Sequence, residues 1–149
     1  VTYPLVDVEN EADWHAYHAI RRSVLWEARG RSNYDARHEG EYRPNRYPLL
    51  LKLAGRSIGT TRLDDFGGAV AAVRLVAIVS DAHRQGHGRK LMELVEGRAL
   101  ALGARHLVIN SASDAVGFYE KFGWTRQVWS EDEIARSEAG IVQLIKNIG

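Results

Sequence analysis

Residues 69–103, AVAAVRLVAIVSDAHRQGHGRKLMELVEGRALALG, constrain the fold more than any other part of the chain. They open on an almost unbroken apolar run, residues 69–79, interrupted only by Arg74. A short run rich in Val and Ile predicts a buried β-strand. A polar, glycine-containing loop follows, residues 80–88. Leu91, Val95, Ala99 and Leu102 then recur at spacings of four, four and three, the mark of a helix with one apolar face. Gly103 stands where a helix C-terminus favours glycine. The unit is strand, glycine loop, helix.

That unit has a chemical use. The first turn of a helix presents backbone N–H groups that lack intrahelical partners, and the helix dipole adds partial positive charge there. Gly86 and Gly88 allow close approach of a ligand or a positive φ. Arg84, Arg89 and Lys90 add formal charge to the same turn. Together they suit a phosphate or pyrophosphate. A tight turn with solvated basic residues satisfies the same pattern, because a G-x-G alone is weak evidence.

With 149 residues the chain is expected to form one domain, residues 1–149, around one sizeable core. A net charge of +1 gives no global case for a nucleic-acid partner. There is no cysteine, which excludes disulfides, thiolate metal ligands and a Cys nucleophile. No N-terminal signal pattern is present, and no apolar run reaches the ~20 residues of a membrane helix. The expectation is a cytoplasmic protein without a membrane partner.

In chain order, residues 3–8 predict a short strand. Asn10, three residues before Asp13, predicts a capped start to a helix that runs to about Ala28. Trp14, Tyr17, Ile20, Val24 and Leu25 lie on its core face. Residues 29–48 hold five arginines, three acidic residues and three tyrosines without an aliphatic run, a long loop with room for a short helix at 34–40. Residues 49–54 and 57–63 predict a hairpin about Gly55-Arg56, and residues 64–68 a second turn into the long strand. A meander of three strands thus precedes the glycine loop. After Gly103, residues 106–110 predict a strand parallel to the long one, reached by a right-handed crossover. Ser113 caps a helix to Phe122, with Phe118 and Phe122 core-facing, Tyr119 at the edge of that face, and Gly123 as the stop. Two strands, 124–129 and 141–148, flank the acidic segment SEDEIARSEAG.

The stretch VSDAHRQGHGRKLM, followed about thirty residues later by NSASDAVGFYEKFGW, resembles the GNAT superfamily of N-acetyltransferases. The order of elements is similar along nearly the whole chain. The resemblance implies an α/β (α+β) fold with a mixed, mostly antiparallel sheet, helices on both faces and a central diverging parallel strand pair. It implies acetyl-CoA as cosubstrate and no metal. The superfamily's pyrophosphate loop falls on His83, Arg84, Gln85, Gly86, His87 and Gly88, continuing into Arg89 and Lys90, with His83 where Arg or Gln is usual. Ile78 and Val79 would pair with pantetheine amides as an added strand does. Asn110 and Ser111 would line the opposite wall. Tyr119 matches the tyrosine that donates a proton to the departing thiolate.

These residue types suit that chemistry. Backbone N–H donors near Val79 would stabilise an oxyanion. A thiol near ~8.5 and a phenol near ~10 permit proton donation once the thiolate is desolvated. The acceptor, a small-molecule or peptide amine, must lose a proton, yet residues 69–79 hold no carboxylate. Asp64, Asp65 or Glu27 acting through water, or an amine that arrives neutral, remain open. The resemblance places Arg31, Arg37, Arg43 and Arg46 beside the acceptor, where they would bind an anionic group or simply form a solvated surface. Competing readings are a non-catalytic CoA- or nucleotide-sensing module, a metal site at Asp81, His83 and His87, and a base-stacking surface on the Arg- and Tyr-rich loop. Acceptor identity and oligomeric state, homodimer included, stay open.

Overall fold

A computed structural model describes residues 4–26, 34, 36, 44–79 and 86–149. Its frame is a seven-stranded sheet in the order β1-β2-β3-β4-β5-β7-β6. The strands are β1 (Leu5–Asp7), β2 (Arg46–Leu53), β3 (Arg56–Gly67), β4 (Val70–Ile78), β5 (His106–Ser111), β6 (Thr125–Arg126) and β7 (Val142–Asn147). Every neighbouring pair is antiparallel except β4 and β5, which run parallel from Val70↔His106 to Val73↔Ile109. The mixed, mostly antiparallel sheet with one central parallel pair is the architecture expected from the sequence.

Helices cover both faces. The helix α1 (Glu11–Arg21) starts at Asn10, whose Oδ1 accepts from the Asp13 N–H at 2.8 Å, and it passes into a π-helical turn, Arg22–Trp26. Tyr17 and Ile20 bury against Leu50 and Ala77 on one side of the sheet. On the other side α2 (His87–Ala101) sets Leu91, Met92, Val95 and Ala99 against Leu49, Leu51, Val73 and Leu107. Arg98 ties α2 to the sheet edge, donating to Asp7 Oδ1 at 2.6 Å and to the Leu5 carbonyl at 2.9 Å. The remaining elements are a 3₁₀ turn (Ser113–Ala115), α3 (Val116–Glu120) and α4 (Glu131–Arg136).

One irregularity decides how β4 serves two cores. Thr60 pairs with Ala77 and Arg62 with Arg74, so Thr61 faces two residues, Leu75 and Val76. Leu75 takes φ +54°, a left-handed conformation that costs a branched residue about 1–3 kcal/mol. The extra residue shifts the alternation of side chains by one. Ala71 and Val73 face α2, whereas Ala77 faces α1 and Val76 and Ile78 return to the α2 side.

Several boundaries differ from the sequence reading for local reasons. The first hairpin turns on Ala54-Gly55, both with positive φ, rather than Gly55-Arg56, the twist that a two-residue turn between right-twisted strands requires. The stretch expected as a second turn, 64–68, is strand through Gly67, because Asp64 and Asp65 pair with Ala72 and Ala71. The helix expected over 113–122 is a 3₁₀ turn followed by five α-helical residues, and Ala112 rather than Ser113 precedes it. That shortening rotates the face: Val116 and Tyr119 enter the core while Phe118 is 37% exposed. Of the strand expected at 124–129 only Thr125–Arg126 pairs, and part of the acidic segment is α4. The expected end of the first helix near Ala28 lies outside the described residues, as does the helix expected at 34–40 apart from Tyr34 and Ala36.

Leu107, fully buried on the parallel pair beneath α2, tests this packing. Leu107→Ala leaves a cavity at the centre of the core and is expected to destabilise the protein by about 2–5 kcal/mol. Chemical denaturation measures it.

Candidate active site

β4 and β5 part company after Val73 and Ile109. Beyond that pair β4 bonds only to β3, and β5 continues beside β7. The gap is a cavity of about 250 Å³ walled by Leu75, Val76, Ile109, Asn110, Ser111 and Tyr119. The Val79 N–H, expected as an oxyanion donor, is bonded to the Ile58 carbonyl at 2.9 Å and so faces β3. Counted back from Val79, strand alternation predicts the Val76 amide on the opposite edge, the one that β5 has left.

Tyr119 stands on the wall of this gap, 7% exposed, its ring edge-on to Phe118 and Trp124. Burial pushes its phenol up to about 12, so the hydroxyl is protonated at any physiological pH. Ser111 is buried and turns its hydroxyl to the Ala112 carbonyl. The glycine loop is described from Gly86 onward. Gly86 takes φ +80° immediately before α2, a conformation that glycine supplies without strain. A Cβ on Gly86 would meet nothing within 4 Å, and one on Gly88 would make only an ordinary 3.6 Å contact with Phe118 Cζ. No crowding by atoms of the described residues therefore demands glycine at either position. His87 is buried, whereas Arg89 is exposed, 3.3 Å from Glu93 and over the Phe122 ring. Lys90 lies 3.8 Å from Glu93. Arg84 and Gln85 lie outside the described residues, as do Asp81 and His83 of the metal reading. Among the described residues no cluster of three or more metal-ligating side chains forms.

A second cavity, about 560 Å³, opens beside the first and shares Leu75 and Asn110 with it. Its walls carry a chain of charged and amide groups. Asp64, 1% exposed, accepts from Arg62 Nε at 2.8 Å, Arg62 Nη2 at 3.1 Å and Arg74 Nε at 3.2 Å, with Arg46 Nε 3.7 Å away. Arg74 also grips Glu133 of α4 with both terminal nitrogens, at 2.5 and 3.1 Å, beneath the rings of Phe66 and Trp129. Asn110 donates to Glu133 Oε1 at 3.0 Å and accepts from Gln143 Nε2 at 2.9 Å. Gln143 is buried and takes the Trp129 and Ser130 N–H groups on its Oε1.

Three carboxylates were open as the base. Asp64 is ringed by arginines and sealed from solvent. Asp65 caps the turn by accepting from the Gly67 N–H at the far end of the hairpin, and Glu27 is outside the described residues. Among the described residues, the carboxylate that does reach the cavity is Glu133, which the sequence marked only as part of an acidic segment. Of the four loop arginines, Arg46 lines this cavity, and Arg31, Arg37 and Arg43 lie outside the described residues. Burial pushes the Glu133 carboxyl up, but the hydrogen bond and charge of Arg74, aided by Asn110 and Arg136, outweigh it and hold the group below its ordinary value. Desolvation lowers Arg74, yet Glu133 and Asp64 raise it further.

A parallel pair that opens into a slot, with a glycine turn leading into the next helix, is the arrangement that the sequence resemblance implied. The chain belongs to the GNAT family: the model described as "Acetyltransferase (GNAT) domain" matches residues 33–142, well over half of it. Among solved structures, a candidate N-acetyltransferase from Lactobacillus plantarum superposes with TM-score 0.82 at 22% identity, over 100% of both chains. The ribosomal-protein-S18-alanine N-acetyltransferase from Escherichia coli gives 0.77 at 15% identity, over 99% of this chain and 95% of that one. N-acetylglutamate synthase from Neisseria gonorrhoeae, complexed with coenzyme A and N-acetyl-glutamate, gives 0.79 at 16% identity, over 100% of this chain and 36% of that one. Comparison with curated proteins returns no match. These structural likenesses show the fold. Among the described residues no helix is long and apolar enough to cross a membrane.

The ion network makes two predictions. Asp64→Asn leaves the surrounding guanidiniums without their buried countercharge, and is expected to cost about 3–5 kcal/mol in denaturant melts. The Glu133 pair depends on pH with a definite sign. A carboxyl held low in the folded state contributes stability above its unfolded value, ~4.3, and loses it only as pH falls through the folded one. Glu133→Gln should therefore melt below the wild type at neutral pH, with the gap closing only under more acid conditions.

Proposed function

We propose that the chain is a single-domain, acetyl-CoA-dependent N-acetyltransferase that acts on a primary amine of a small molecule or peptide. The observation that carries this is Tyr119, a buried phenol on the wall of the slot where β4 and β5 separate. A structural tyrosine needs no such slot, and a proton donor to a leaving group in the slot does.

The residues present fit acetyl-CoA. The left-handed turn at Gly86 and the bare Cα of Gly88 let a pyrophosphate approach the N-terminus of α2, where backbone N–H groups and the dipole favour an anion. Arg84, Gln85, His87, Arg89 and Lys90 belong to the same stretch. Ile78 and Val79 end the strand along which a pantetheine arm would lie, opposite Asn110 and Ser111. When bound, acetyl-CoA supplies a thioester carbonyl and a thiol leaving group. The Val76 N–H, directed to the open edge of β4, is the donor suited to negative charge on the carbonyl oxygen. Tyr119 holds its proton on Oη and gives it up toward the departing sulfur. Its raised value is no obstacle, because the desolvation that lifts the phenol equally destabilises a thiolate beside it.

Tyr119→Phe removes one hydroxyl and leaves the ring packing against Phe118 and Trp124. The expected result is a fall in kcat of about 10²–10⁴ with acetyl-CoA affinity within a few-fold. Thiol release in the presence of mixed primary amines measures the first and ligand-induced thermal shift the second. Wild-type kcat in this variant ends the general-acid assignment. Binding of acetyl-CoA by the wild type without release of thiol to any amine gives the sensing module instead.

A further inference from the structure

Glu133 is the one carboxylate that the described residues bring to the larger cavity with acceptor capacity to spare. An ionised carboxylate accepts about four hydrogen bonds. Oε1 takes Arg74 Nη1 and Asn110 Nδ2, and Oε2 takes Arg74 Nη2 alone. One position on Oε2 is left, on a side chain 19% exposed to the cavity. Asp64, by contrast, has its two oxygens surrounded by arginines and is closed to solvent.

The carboxylate is held, not merely present. Arg74 grips it with both terminal nitrogens, and Arg74 is itself fixed by Asp64 and the two rings. The α4 segment that carries Glu133 is anchored at its start. Ser130 Oγ accepts from the Glu133 N–H, and Gln143 Oε1 takes the Trp129 and Ser130 N–H groups. Asn110 then joins Glu133 to the wall shared by the two cavities. Leu75 and Asn110 line both, so a group resting on Glu133 lies across that shared wall from Tyr119.

We propose that Glu133 Oε2 docks the acceptor amine, accepting a hydrogen bond from its N–H and so orienting the nitrogen toward the slot between β4 and β5. This rests on the acetyltransferase reading for what happens next, but the docking itself is a binding event. Because the Arg74 pair keeps the carboxylate ionised, it serves as a hydrogen-bond acceptor rather than as a strong base. It is a site for a primary amine, and Glu133 is the residue that selects for the N–H.

The test separates docking from transfer. The wild-type chain, saturated with coenzyme A, is titrated calorimetrically with putrescine, L-alaninamide and a lysine-containing tripeptide, and the same titrations are run on Glu133→Gln and Glu133→Asp. With acetyl-CoA, thiol release gives acceptor KM and kcat for the same amines. Melting temperature and the acetyl-CoA thermal shift report folding and the acyl side. The expected result is tenfold or greater weakening of amine binding in Glu133→Gln, a smaller loss in Glu133→Asp, acceptor KM raised in step, and an unchanged acetyl-CoA shift. No saturable binding by the wild type, or equal affinity in a folded variant, overturns the docking role. So does a parallel loss of acetyl-CoA binding, which marks Glu133 as structural. Amine binding that depends on Glu133 in a protein that never releases thiol supports docking and removes the transferase reading.

Discussion

Two neighbouring strands cannot both keep their parallel pairing and leave room for a ligand between them. β4 and β5 resolve this by pairing over four residue steps and then separating, and the point of separation is set by Leu75. Its left-handed conformation inserts one residue opposite Thr61 and turns the following side chains over. β3 holds the bulge in place from the other side, through Val79 to Ile58 and Thr61 Oγ1 to the Arg74 carbonyl. The passage of β4 from one apolar core to the other follows from that one inserted residue.

The second organising force is electrostatic. Burying Asp64 alone would be prohibitive, since a lone ionised carboxylate in a low-dielectric interior loses its hydration without return. Here the surrounding guanidiniums supply the countercharge, and one of them, Arg74, reaches through to Glu133. The network therefore ties the meander to α4 across the cavity that separates them. It also explains why a charged residue interrupts an otherwise apolar strand: Arg74 bridges two carboxylates from distant parts of the chain.

The fold was legible from the sequence where periodicity was strong and local. The apolar run of β4, the four-residue spacing in α2 and the Asn10 cap each rest on interactions within a few residues. The glycine turn was legible for the same reason, and Gly86 does take the positive φ expected of it. What the sequence did not disclose was tertiary. The extension of β3 through Asp64 depends on pairing with β4, and the rotation of α3 that buries Tyr119 and exposes Phe118 depends on the 3₁₀ turn before it. Glu133 is the clearest case. It lies fifty-nine residues from Arg74, and only its place in an unusually acidic segment marked it. A polar residue alone in a buried strand calls for a countercharge, and that was the available signal.

The way α4 is fastened has a further consequence. Gln143 captures the segment through the Trp129 and Ser130 main-chain N–H groups and the Ser130 carbonyl, and amides of that kind are offered by almost any residue. Apart from Glu133, whose carboxylate Arg74 and Asn110 hold, side chains on α4 can therefore be exchanged while its attachment persists. Mutation at such positions, Arg136 among them, can change the lining of the larger cavity without reopening the problem of how the sheet folds.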